Sequence, residues 1–168
     1  ESLKFFASLA RHQPSYSNVD IVVCPPFTSL YTASVALQET SLKLGAQNCC
    51  FEDNGAFTGE ISPVFLQELS CEYVIVGHSE RRRLFNETDV VVNKKIQGVL
   101  DAGLRPILCI GEPQSVRQSG RQKNYIRAQL KAGLRGLSKP GLKRIVIAYE
   151  PVWAIGTGHP DIPQEAAK

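Results

Sequence analysis

The chain has 168 residues, enough for one domain with its own core, and its 43% hydrophobic and 21% charged residues argue against disorder and collagen-like order. A formal net charge of +3 suits small anionic ligands but does not argue for nucleic acid, because no Lys/Arg-rich run interleaved with aromatics occurs and Arg81-Arg82-Arg83 is the only dense basic cluster. No segment approaches the length of a membrane span, so no membrane contact is expected, and the start shows no signal-peptide pattern.

Leu3, Phe5, Phe6, Leu9 and Ala10 recur at helical spacing, so the chain is expected to open inside a helix ending near Pro14. Residues 20–24 form a short buried strand closed by Pro25-Pro26. Thr28 or Ser29 is expected to cap a helix running to about Thr40, with Leu30, Ala33, Val35, Ala36 and Leu37 inward. Residues 42–50 read as a second strand. The polar, Gly-rich stretch 51–60 that follows is longer than a connection needs, and such loops are usually functional. Ser62-Pro63 starts a helix through Leu69, since Ser caps well and Pro fits the first helical position.

Tyr73-Val74-Ile75-Val76 is a third strand, ending in Gly77-His78-Ser79-Glu80. Residues 89–102 read as a helix stopped by Gly103, and residues 106–110 as a fourth strand ending in Gly111-Glu112-Pro113. One long charged helical region is expected over 116–137, broken by Pro140-Gly141. A fifth strand covers 144–149, and residues 163–168 resemble the first turns of a further helix.

Strand–helix units repeated in this way predict an α/β domain with parallel strands over residues 1–168. The strands are continuous apolar runs, as expected when both faces are covered. Polar groups cluster immediately after them: Gln47 and Asn48, His78, Glu112 and Glu150. Chemistry gathered at one edge of parallel strands describes the mouth of a (β/α)-barrel. A doubly wound sheet is the alternative, weakened because no Gly-x-Gly-x-x-Gly follows the first strand.

Two stretches carry the chemistry. Glu150 stands at the exit of the fifth strand, and Pro151, lacking an N–H, ends the ladder there. Val152-Trp153-Ala154-Ile155 forms an apolar flap, and Gly156 and Gly158 let the backbone turn or approach a ligand. His78 follows Gly77 at the start of a short helix, whose positive end disfavours the imidazolium and leaves a neutral hydrogen-bond donor. Such an imidazole polarises a carbonyl, while a carboxylate alongside removes a proton. Trp153 reads as flap packing rather than ligand stacking, and Cys109 as a packed thiol near Glu150 rather than a nucleophile. Glu112, at a strand end, is a candidate second carboxylate but with Pro113 after it reads mostly as loop geometry, and the arginines at 81–83 read as interface and intramolecular ion pairs rather than a nucleic-acid patch. Of the five cysteines (24, 49, 50, 71 and 109), adjacent Cys49 and Cys50 are poorly disposed to bridge each other, and a reduced, cytoplasmic compartment is expected.

Gly77-His78-Ser79-Glu80-Arg81-Arg82 and the run from Ala148 to Gly158 together resemble the triosephosphate isomerase family. Weaker matches agree: Cys24-Pro25-Pro26-Phe27, Leu44-Gly45-Ala46-Gln47-Asn48, Gly55-Ala56-Phe57-Thr58-Gly59-Glu60 and Cys109-Ile110-Gly111-Glu112. The resemblance implies a (β/α)8 TIM barrel, of which this chain carries about strands two to six. It implies an enzyme interconverting dihydroxyacetone phosphate and D-glyceraldehyde 3-phosphate without cofactor or metal. Glu150 would be the base, His78 the electrophile, and Glu80 a supporting catalytic carboxylate. The flap, Pro151, Val152, Trp153, Ala154, Ile155, Gly156, Thr157 and Gly158, would close over the substrate and hold its phosphate through the Gly156 N–H. Excluding water matters because an exposed enediolate phosphate expels its phosphate group. The loop 51–60 resembles one that interdigitates in a homodimer, with Thr58 entering the partner.

Two departures accompany the resemblance. The family's first strand with its Asn-x-Lys lysine, and its last two strands with their phosphate-gripping loops, have no counterpart here. A partial sequence of a full enzyme is therefore expected, inactive and aggregation-prone when isolated. His159-Pro160-Asp161-Ile162 also replace the family's basic and small polar residues, and Pro160 stiffens the trailing hinge. The competing readings are another phosphosugar barrel enzyme, which would need different residues at 78 or 150, and a truncated, non-catalytic paralogue serving as a binding or assembly fragment. A cytoplasmic location is expected, with a plastid one left open.

Overall fold

A computed structural model describes residues 1–12 and 18–155. Helix α1 (Ser2–Arg11) turns Phe6 inward, with Leu9 and Ala10 packed on the core. Strand β1 is short, Val22–Val23, although the Lys43 N–H to Ile21 carbonyl bond extends its pairing. Helix α2 (Phe27–Leu37) starts earlier than expected. Extended Pro26 occupies the cap position without a side-chain cap, so Thr28 and Ser29 lie inside the first turn. Leu30, Ala33 and Leu37 are buried as expected, but Val35 is exposed, because it falls between the inward residues of the helical repeat.

Strand β2 is Lys43–Ala46, shorter than the apolar run, whose remaining residues Asn48, Cys49 and Cys50 are buried without laddering. Helix α3 (Pro63–Glu68) is capped by Ser62, whose hydroxyl accepts from the Phe65 N–H at 3.3 Å. Strand β3 is Tyr73–Val76, followed by α4 (Ser79–Leu84). Helix α5 (Asp89–Asp101) is capped by Thr88 and ends ahead of Gly103, at φ 79°. Strand β4 is Arg105–Ile110.

The single long helix expected over 116–137 is instead two, α6 (Gln114–Gln118) and α7 (Gln122–Gly133). Gly120, at φ 70°, breaks them apart. Pro140-Gly141 is not a break either: it sits in the short helix α8 (Lys139–Leu142), where Pro is tolerated in the first turn and Ser138 caps. Strand β5 is Val146–Tyr149.

All neighbouring strands pair in parallel, in the order β1-β2-β3-β4-β5. Sequential order without reversal is the order of a barrel wall; a doubly wound sheet needs a switch point. The core lies between the strands and helices and centres on Leu30, Leu66, Val74, Val92, Ile96 and Leu108. Coverage of both faces does not extend to β5, where Val146, Ile147 and Tyr149 remain 38–45% exposed. It is the edge of the described sheet, so it has one strand neighbour rather than two. No described helix is long and apolar enough to cross a membrane.

Candidate active site

The site is built where β3, β4 and β5 end. Gly77 leaves β3 at φ 71°, a turn that a side chain would resist, and delivers His78 to the N-cap of α4. His78 Nδ1 accepts from the Glu80 N–H at 3.3 Å. A nitrogen that accepts carries no proton, so the helix cap sets the tautomer and leaves the hydrogen on Nε2. Nε2 lies 2.7 Å from Glu150 Oε1, and the other carboxylate oxygen, Oε2, accepts from the Ser79 N–H at 2.9 Å. The helix start thus supplies both partners of the carboxylate.

Glu150 reaches this position because its N–H bonds to the Ile110 carbonyl at 2.8 Å, continuing the β4–β5 pairing one residue past the strand. Its own carbonyl rests on Gly111, where an added Cβ would lie only 1.9 Å away. Buried Gln129 from α7 accepts the Gly111 N–H at 3.0 Å and holds that strand end in place. The Glu150 side chain is 16% exposed, against 34% for His78, so the carboxylate–imidazole pair is sheltered yet open on the imidazole side.

Glu112 is the residue whose place sequence reasoning missed. It is fully buried, and it accepts from Tyr149 Oη at 3.0 and 3.1 Å, from Trp153 Nε1 at 2.9 Å and from Arg117 Nη1 at 3.1 Å. Arg117 also lies over the Trp153 ring, 4.4 Å from its centroid. Burial, with the hydrogen bond to Glu112, pushes the Tyr149 phenol upward. The first half of the flap, a turn over 152–155 closed by the Ala154 N–H to Pro151 carbonyl bond at 2.7 Å, is therefore moored to the end of β4. A signal existed: Glu112 follows an apolar strand at the same edge as Glu150, and a buried carboxylate requires donors of the kind Tyr149 and Trp153 supply.

A second missed group lies behind α4. Lys95 and Glu87, each 6% exposed at the side chain, pair at 2.5 Å, and Glu87 also accepts from Arg81 Nε at 2.6 Å. Lys95 reaches Asn48 at 2.7 Å. Burial alone would raise the Glu87 carboxyl, but the Lys95 and Arg81 contacts outweigh it and hold it low. Arg81 and Arg82 thus form the intramolecular ion pairs expected of them, the second with Asp89 at 2.6 Å. Cys109 is buried, and desolvation, reinforced by the Glu150 charge, pushes its thiol up to about 12. That is a packed thiol and not a nucleophile.

Glu80 touches the pair through its backbone N–H; its carboxylate is 62% exposed, with Oε2 3.9 Å from His78 Nδ1. Beside His78 a cavity of about 450 Å³ is bounded by Gln47, Asn48 and Glu80 and by an apolar wall of Phe27, Leu84 and Phe85. A larger, largely apolar cavity of about 490 Å³ lies between α1 and α2, away from the acid–base groups. Thr58 lies in the exposed loop 51–60. Gly156, Thr157, Gly158, Pro160 and the helix expected at 163–168 lie outside the described residues.

Sequential parallel strands, intervening helices, and a carboxylate–imidazole pair at the carboxyl ends define the class: part of a (β/α)8 barrel, with a candidate acid–base site at its mouth. The profile of the family described as triosephosphate isomerase matches residues 1–168. The chain is 52% identical over 159 residues to triosephosphate isomerase of Dictyoglomus thermophilum, covering 95% of this chain and 64% of that protein. It is 51% identical over 168 residues to that of Aquifex aeolicus, covering all of this chain and 66% of the relative. The solved triosephosphate isomerase of Bartonella henselae superposes with a TM-score of 0.81 at 37% identity, covering 91% of this chain and 62% of that one. The chain therefore belongs to the triosephosphate isomerase family, and spans roughly two thirds of the length of these relatives.

Proposed function

We propose that the complete protein carrying these residues interconverts dihydroxyacetone phosphate and D-glyceraldehyde 3-phosphate. The observation that carries this reading is the 2.7 Å contact between Glu150 and a His78 whose Nδ1 is engaged by the helix start. With substrate between them, the Glu150 carboxylate takes the proton from the hydroxyl-bearing carbon. The electron pair moves onto the neighbouring carbonyl oxygen, giving an enediolate, and the His78 Nε2–H donates to that oxygen. Glu150 then returns the proton to the adjacent carbon, while the proton of the original hydroxyl passes by way of His78 Nε2 to the former carbonyl oxygen, so that one oxygen becomes the new carbonyl and the other the new hydroxyl. The carboxylate of Glu80 lines the same cavity, and its part in this reading is a supporting one, with its backbone N–H on His78 Nδ1.

The flap, from Pro151 to Gly158, is the cover over this site, with the Gly156 N–H on the substrate phosphate. The mooring of Trp153 to Glu112 supports a flap with a defined resting place. Family membership and the exposed loop 51–60 support a homodimer in which Thr58 meets the partner. The localisation that fits this reading is cytoplasmic.

The test is turnover of both triose phosphates by the purified complete protein. Glu150→Gln should lower kcat by about 10³-fold and His78→Gln by about 10²-fold. No turnover by the folded parent, or full turnover by Glu150→Gln, would overturn the reading. Sedimentation should show a dimer that Thr58→Arg dissociates; a parent that sediments as a monomer would remove the homodimer.

A further inference from the structure

Arg82 takes no part in the acid–base chemistry, yet its guanidinium holds together the elements that carry it. Its side chain, 18% exposed, leaves α4 and is shared among β3, β4 and α5. Nε donates to the Gly77 carbonyl at the end of β3 at 2.7 Å, Nη1 to Asp89 Oδ1 in the first turn of α5 at 2.6 Å, and Nη2 to the Cys109 carbonyl in β4 at 3.4 Å. Gly77 is small for this reason as well as for its turn: a Cβ there would lie 2.9 Å from Arg82 Nη2 and from Val92 Cγ2.

These contacts close a circuit. His78 caps α4, which Arg82 ties to β4; β4 pairs with β5 through Cys109 and Ala148; β5 leads to Glu150; and Glu150 returns to His78 at 2.7 Å. In the structure the circuit is held on both sides, by the His78–Glu150 contact and by the arginine. A substrate seated between the two side chains would remove the first and leave the second. A planar fork with donors on three sides suits this task, and a lysine has no equivalent geometry.

We propose that Arg82 is a positioning residue, keeping the His78 imidazole in register with Glu150 once substrate separates them; this rests on the function proposed above. Arg82→Gln in the complete protein should lower kcat by about 30- to 100-fold with KM within about twofold, the scale of loss that a misplaced catalytic group produces. Arg82→Lys, able to reach one carbonyl, should fall between it and the parent. Asp89→Asn removes the ion pair and leaves both carbonyl contacts, so it should lower Tm and leave kcat within about threefold.

The ¹⁵N resonances of the His78 ring provide a readout independent of turnover, and should shift in Arg82→Lys but not in Asp89→Asn. Parent-like kcat in a folded Arg82→Gln, or an equal kcat loss in Asp89→Asn, would overturn the proposal. Should Arg82→Gln fail to fold, the other two variants decide. A parent with no isomerase turnover refutes the function alone, and the ring resonances still decide the clamp.

Discussion

Glu112 illustrates how one buried charge organises the chain around it. A carboxylate with no exposed surface is stable only if donors surround it, and here Tyr149, Trp153 and Arg117 do so. Two of these donors, Tyr149 and Trp153, lie on either side of Glu150 in the chain. Glu112→Gln keeps the shape and removes the charge. Its expected cost is about 2 kcal/mol of stability, the range for hydrogen bonds to a charged group. Trp153 is the only tryptophan in the chain, so its fluorescence reports the mooring directly. Acrylamide quenching should rise at least twofold in Glu112→Gln; unchanged quenching would show that the indole is held by Arg117 stacking alone. At this scale His78 and Glu150 were legible, because each ends an apolar strand and belongs to a long specific motif. Glu112 and Lys95 were not, since Trp153 and Asn48 reach them from distant parts of the chain, and Glu87 takes its place from the buried Lys95 and from Arg81.

Among the elements, the strands and the capped helices were read correctly where local chemistry is decisive. Residues 73–76 are four apolar residues closed by a glycine, and Ser62-Pro63 offers a side-chain cap that the structure uses. Local chemistry misled where two signals competed. Thr28 and Ser29 are good caps, but Pro26 starts the helix first because its fixed φ already suits that boundary. The run 116–137 contains enough helix formers to hide Gly120, whose left-handed backbone separates α6 from α7. Gly111 shows a strand end serving the site: Glu150 lies against it too closely for any side chain. Gly111→Ala should therefore push the Glu150 peptide away from β4, lowering both Tm and kcat, the latter by about 10²-fold. A Gly111→Ala enzyme with parental kcat, measured with its Tm, would show that the strand end yields without moving the base.

The described residues form an arc of parallel strands with the His78–Glu150 pair at one edge, and that arrangement was legible from the spacing of apolar runs and the polar residues after each. The extent of burial was not, because coverage of β5 depends on its neighbours and not on its own apolar residues. Burial also makes the fold sensitive to alkali. It pushes the thiol of Cys24 up to about 11 and those of Cys49, Cys71 and Cys109 up to about 12, from 9.0. The unfolded chain releases these protons first, so stability is intact below pH 9 and declines as pH rises from 9 towards 12. Tm measured from pH 8 to pH 10.5 should fall, and Cys71→Ala should lessen the slope; a flat profile would contradict the buried thiols. The central claim, that Glu150 carries a proton between neighbouring carbons beside His78, is tested most directly by converting dihydroxyacetone phosphate in D₂O with the complete protein and following deuterium by NMR. Deuterium at the carbon next to the carbonyl in the product and in recovered substrate, lost in Glu150→Gln, is the expected result. Incorporation that persists at the parental rate in Glu150→Gln would contradict it.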